Sequence, residues 1–158
     1  LNFVRSIRWR VSFKLSIKTP LVSSLHMSYW AICLGLLIIG LDTLNVFTAL
    51  NFPITVFSYH SLGIHAITVG GAGLMILSMI SRVSLGHTGR ELKLNTFMST
   101  AMLFMFLAFI TRVILPFFVT SFLMPLYVSA IFWVLAYGLF LIFYAPILFS
   151  KRPDGGLG

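Results

Sequence analysis

The stretch from His60 to Arg90, HSLGIHAITVGGAGLMILSMISRVSLGHTGR, decides the fold. As far as Ile80 it is apolar and rich in glycine, and it is long enough to cross a bilayer as a helix of about 20 residues. From Ser81 it becomes a basic loop punctuated by Gly86 and Gly89. Three of the four histidines of the chain, His60, His65 and His87, lie within it. A segment that only crossed lipid would need neither these histidines nor the basic run, since polar groups at membrane depth are costly and rarely idle.

Outward from this stretch the apolar composition continues. The 158 residues are 59% hydrophobic and 9% charged, with a mean hydropathy of +1.03, which places the chain among membrane proteins rather than soluble domains. Four spans can be drawn: Leu21 to Leu41, Tyr59 to Ile80, Thr96 to Phe118 and Phe122 to Phe149. Backbone groups in hydrocarbon must be satisfied within each segment, so the expected fold is all-α, a polytopic transmembrane helix bundle of about four spans. Pro125 marks where the last span meets the interface, and Pro146 is expected to kink its far end.

The net charge of +8 comes from residues between the spans. Arg5, Arg8, Arg10, Lys14 and Lys18 precede the first span. Arg82, Arg90 and Lys93 follow the second, and Lys151 and Arg152 follow the fourth. The connection from Asp42 to Ser58 and the turn around Thr120 carry no Lys or Arg. This alternation fits the positive-inside rule with both termini cytoplasmic, and it leaves no call for nucleic acid as a partner. The chain divides into a basic interfacial leader (1–20), a four-helix transmembrane region (21–149) and a basic cytoplasmic tail (150–158). The start at Leu1 and the basic leader suggest the carboxy-terminal part of a longer protein. Cys33 is the only cysteine and reads as a small buried hydrophobe.

Within the second span, Gly63, Ala66, Gly70 and Gly73 recur at steps of three and four, as expected of one smooth helix-packing face. His65 and Arg112 each sit six residues inside the outer end of a span, roughly 9 Å deep. With Asp42 and His60 they form an expected outer polar cluster, in which His65 could ligate a metal and Arg112 could hold an anionic group. The plainer account is an Asp42–Arg112 ion pair with His65 hydrogen-bonding across helices. His26, seven residues before Cys33, is a further candidate ligand. At the inner end, Thr88 and Glu91 fit a capping box that would start the next helix at Gly89. Arg82, His87 and Arg90 would then flank a helix N-terminus able to hold an anion. Three acidic residues in the whole chain leave carboxylate-pair hydrolysis without parts. The spacings match neither a zinc site nor a nucleotide loop.

His65-Ala66-Ile67-Thr68-Val69-Gly70, then Met75 and Met79, then Ser81 to Arg90 resemble the NnrS family, and the block Ser84-Leu85-Gly86-His87-Thr88-Gly89-Arg90 is the most specific part. Leu25-His26-Met27-Ser28-Tyr29, Leu34-Gly35-Leu36, Tyr144-Ala145-Pro146 and Arg152-Pro153-Asp154-Gly155 add to it. The resemblance covers most of Pro20 to Gly155 and concerns only the carboxy-terminal part of such proteins. It implies a multi-pass protein of the bacterial inner membrane, acting in the response to nitric oxide and nitrosative stress and binding haem and copper. The implied partners are nitric oxide, the lipid bilayer, and either the amino-terminal spans of the same protein or a membrane partner. His65 and His87 are the foremost candidate metal ligands, with His60 and His26 behind them. Arg112, Arg82 and Arg90 are the candidate cofactor-binding residues. Two other readings stand beside this one: a transporter or channel fragment with His65 and Arg112 on a polar path, and a structural membrane subunit without metal.

Overall fold

The computed structural model describes residues 20–52, 57–91 and 95–151. The leader and residues 152–158 lie outside them. Four long helices dominate: α1 (Pro20–Thr43), α3 (Tyr59–His87), α4 (Thr96–Val113) and α5 (Leu123–Phe149), with a short α2 (Val46–Ala49) after α1 and a 3₁₀ turn (Leu115–Phe117) after α4. All four are long and apolar enough to span a membrane, and no strand occurs among the described residues. The chain is a polytopic helical membrane protein, as the composition requires.

Local chemistry sets the helix ends. Ser58 caps α3, its Oγ accepting from the Ser61 N–H at 3.2 Å. Pro116 has no N–H to extend the α4 ladder, and the chain tightens there into the 3₁₀ turn. Pro125 occupies the first turn of α5, where its missing N–H would have no partner in any case. The helix continues through Pro146 to Phe149.

The end of α3 at His87, inner in the orientation expected from charge, differs from the sequence expectation. The helix does not stop at Ile80 but runs on to His87. Ser81 to His87 is therefore a helical extension and not a loop. The stop comes from Gly89 at φ 66, with Arg90 N–H bonded to the Leu85 carbonyl at 3.0 Å and Gly89 N–H to the Gly86 carbonyl at 3.3 Å. This pair of bonds is the Schellman termination that a left-handed glycine permits. Thr88 Oγ1 donates backwards to the Ser84 carbonyl at 2.7 Å. The expected capping box at Thr88 and Glu91 is thereby corrected: this segment closes α3, and the next helix starts at Thr96, after Asn95.

α3 is α-helical over Tyr59–His65, π-helical over Ala66–Gly73 and α-helical again over Leu74–His87. Three glycines in the wide turn let neighbouring helices come close. A Cβ on Gly70 would sit 2.7 Å from Ala31 Cβ and 2.4 Å from the Phe109 ring. A Cβ on Gly71 would sit 2.4 Å from Ile32, and one on Gly73 2.9 Å from Met105 Sδ. At the outer end, a Cβ on Gly63 would lie 2.9 Å from the Gly35 carbonyl oxygen. Gly63 thus meets α1, Gly70 is wedged between α1 and α4, and Gly73 meets α4. The π turn spreads the expected single face over two neighbours. In lipid, such close van der Waals approach is what holds helices together.

The pairings fix the arrangement. α1 runs antiparallel to α3, from Gly35 against Gly63 down to Ser24, whose hydroxyl meets Ser78 Oγ at 2.5 Å. α4 is antiparallel to α3 and to α5, with Phe97 stacked on Phe143 at one end and Ser129 Oγ donating to the Ala108 carbonyl nearer the other. The inner core combines Leu74 and Leu77 of α3, Met98 and Met105 of α4, and Ala136 and Phe140 of α5. The outer core contains Ala31, Ala66, Phe109 and Val113, from α1, α3 and α4. α5 packs on the inner half of α3 and is missing from the outer core. That separation opens a groove between the outer halves of α3 and α5.

Candidate functional site

The groove encloses about 240 Å³ and is lined by His65, Val69, Arg112, Leu126, Ser129, Ala130, Trp133 and Val134. Its polar floor is a pair across α3 and α4. The Arg112 guanidinium lies 3.1 Å from His65 Nε2. Guanidinium can only donate, so Nε2 is the acceptor and its lone pair is engaged. Ser61, one turn earlier on α3, reaches the same nitrogen at 3.3 Å. Phe57 meets the imidazole edge-on with centroids 5.9 Å apart, and Arg112 Cζ sits 5.3 Å from the Phe57 centroid. A charged group inside a span requires partners of this kind, and the histidine lone pair and aromatic face supply two.

The other candidates do not join them. The expected outer cluster divides into two pairs, because Asp42 Oδ2 lies 4.0 Å from His60 Nδ1 and Arg112 goes to His65. The alternative Asp42–Arg112 ion pair is corrected accordingly. His26 is on the inner half of α1, its Nδ1 3.4 Å from the Val22 carbonyl. His87 follows His65 by roughly 30 Å of helix. Among the described residues, no three His, Cys, Asp or Glu side chains gather in one place. At the inner end, Arg82 and His87 border an open groove of about 330 Å³ with Met79, Val83 and Gly86. Arg90 donates to Ser150 Oγ of the α5 terminus at 2.8 Å. Arg82 and Arg90 sit near a helix C-terminus, where exposed carbonyls favour positive charge. The expected helix N-terminus for an anion is absent there, and any anion would depend on the side chains alone.

The family model described as NnrS protein matches residues 1–152. The chain belongs to the NnrS family. No curated protein and no solved structure matches it. The NnrS match takes in the basic leader as well as all four spans, and so extends further toward the amino terminus than the motifs around His65 and His87.

Sequence reasoning missed several residues that pack the helices of this NnrS chain or line its groove. Ser24, Ser28, Ala31 and Gly35 form a buried small-residue stripe along α1, visible in retrospect as steps of four, three and four. Trp133 and Ser129 of α5 line the groove, yet nothing in the uniformly apolar α5 sequence singles them out. Phe57 lies in a connection, and only the tertiary structure brings it beneath Arg112.

Proposed function

We propose that this NnrS-family chain forms one wall of a haem site in a bacterial inner-membrane protein of the nitric oxide response. His65 would hold the iron and Arg112 would pair with a haem carboxylate. The observation that carries the reading is the His65–Arg112 pair at the floor of an apolar groove. The donors fit the group in kind: one neutral imidazole for iron, one guanidinium for a carboxylate, and Trp133, Leu126 and Val134 as an apolar wall. Bound haem would supply an iron centre able to bind nitric oxide. The chain's own residues orient the ring, neutralise its charge and exclude water on this side. The opposite wall would come from further spans of the same protein or from a membrane partner. Copper would need ligands beyond the described residues, among which no three His, Cys, Asp or Glu side chains gather in one place.

The test is a visible spectrum with metal analysis on the detergent-purified protein, wild type against His65→Ala. The reading expects a Soret band that disappears in the variant. A Soret band unchanged in His65→Ala would remove His65 as the ligand. Absence of haem and copper from the wild type would remove the metal role from this chain.

A further inference from the structure

The nitrogen that would bind iron is already occupied. His65 Nε2 accepts from Arg112 at 3.1 Å and is approached by Ser61 at 3.3 Å. A lone pair held by a donor is not available to a metal, so a ligand can reach His65 only if Arg112 moves aside. Arg112 has a reason to move. Within the described residues no carboxylate lies within ion-pair distance of it, because Asp42 faces His60 at 4.0 Å. The guanidinium is only partly buried and borders a groove whose α5 wall, Ala130, Trp133 and Val134, is exposed along the span. An anion arriving there offers Arg112 a charge-assisted, bidentate partner in place of a neutral imidazole.

We infer that Arg112 is a specificity-determining residue which holds His65 closed and releases it to ligands that bring their own carboxylate. This rests on the haem reading above and narrows it to ligands pairing a metal with an anionic arm. On binding, the Arg112 hydrogen bond to Nε2 is exchanged for one to the carboxylate. Nε2, once released, would hold the metal of such a ligand, with no change of oxidation state and no proton lost from the pair.

Iron protoporphyrin IX and its dimethyl ester differ only in their free carboxylates and are the probes of choice. Each is titrated, by its visible spectrum, into the full chain in detergent, as wild type, Arg112→Gln and Arg112→Lys. Wild type should prefer the free acid by about tenfold or more, in line with a charge-assisted hydrogen bond at stake. Arg112→Gln should lose most of that preference, chiefly by binding the ester better, and Arg112→Lys should keep part of it. Equal binding of both porphyrins by wild type would overturn the selector role while leaving the haem reading intact. If neither porphyrin binds any variant, the haem reading itself fails. The ligand-free chain gives an independent readout of the closed state, the rate at which diethyl pyrocarbonate modifies His65, followed by mass spectrometry. A rise of several-fold in Arg112→Gln supports the closed state, and an unchanged rate overturns it.

Discussion

Gly70 has room for a hydrogen atom and little else. A Cβ there would meet Ala31 Cβ at 2.7 Å and the Phe109 ring at 2.4 Å. The ring can give way, but the alanine is attached directly to the α1 backbone. Gly70→Ala should therefore lower stability by about 1–3 kcal/mol, the usual range for overpacking, and thermal unfolding in detergent measures it. Gly138→Ala is the matched control, since nothing lies within 4 Å of the added carbon; it should be neutral or slightly stabilising by helix propensity. A Gly70→Ala protein as stable as Gly138→Ala would mean that α1 and α3 do not approach as described. Gly89 is constrained by its backbone at φ 66. Gly89→Val should cost more than Gly89→Asn by roughly 1 kcal/mol, because asparagine tolerates the left-handed region and a β-branched residue does not.

At the scale of the element, α3 carries the organisation. Its π stretch, Ala66–Gly73, changes the rotational phase between the outer half with His65 and the inner half with Ser78. Register on both sides of the stretch is thus a sharp test of the fold. Ser24 and Ser78 hydroxyls are 2.5 Å apart and buried. The double substitution Ser24→Cys with Ser78→Cys, in a Cys33→Ala background, should form a disulfide on mild oxidation in membranes. Cross-linking of Ser24→Cys to Leu77→Cys instead would indicate a helix without the extra residue, which reaches the same phase one residue earlier. The same π stretch explains why the glycines could be found in the sequence but their partners could not. Steps of three and four identify small residues on a helix, and a widened turn then reassigns which neighbour each one meets. The inner end of α3 was legible in its parts and misread in their order. Gly89 is a stop signal as readily as a turn in a loop, and only the bonds from Arg90 to Leu85 and from Gly89 to Gly86 distinguish the two.

At the scale of the molecule, four spans return the chain to one side of the membrane, and the basic residues predict that this side is cytoplasmic. A reporter fused after Lys151 should be active as a cytoplasmic fluorescent protein, and alkaline phosphatase inserted after Asn51 should be active outside. The reverse pattern would place His65 and Arg112 near the cytoplasmic face and remove the orientation argued from charge. The groove is also a property of the whole molecule. It exists because α5 follows α4 closely and leaves α3 beyond Gly73, where Tyr137 OH still reaches the Gly73 carbonyl at 3.4 Å.

What the sequence determined by itself is whatever lipid enforces on a single segment. Apolar length decides the number of spans, backbone satisfaction makes them helices, and the distribution of Lys and Arg sets the orientation to be expected of them. His65 and Arg112 could be picked out for the same local reason, since polar groups inside a span demand an explanation wherever they occur. Only the tertiary structure decided that these two meet each other, that Asp42 belongs to His60, and that His26 and His87 lie far from both. The reason is physical. Between helices in lipid there is no difference in hydrophobicity to read, so partners are chosen by shape. Shape depends on where a glycine, a serine or a π turn lets two backbones come close, and that is a property of pairs of segments that no single segment contains.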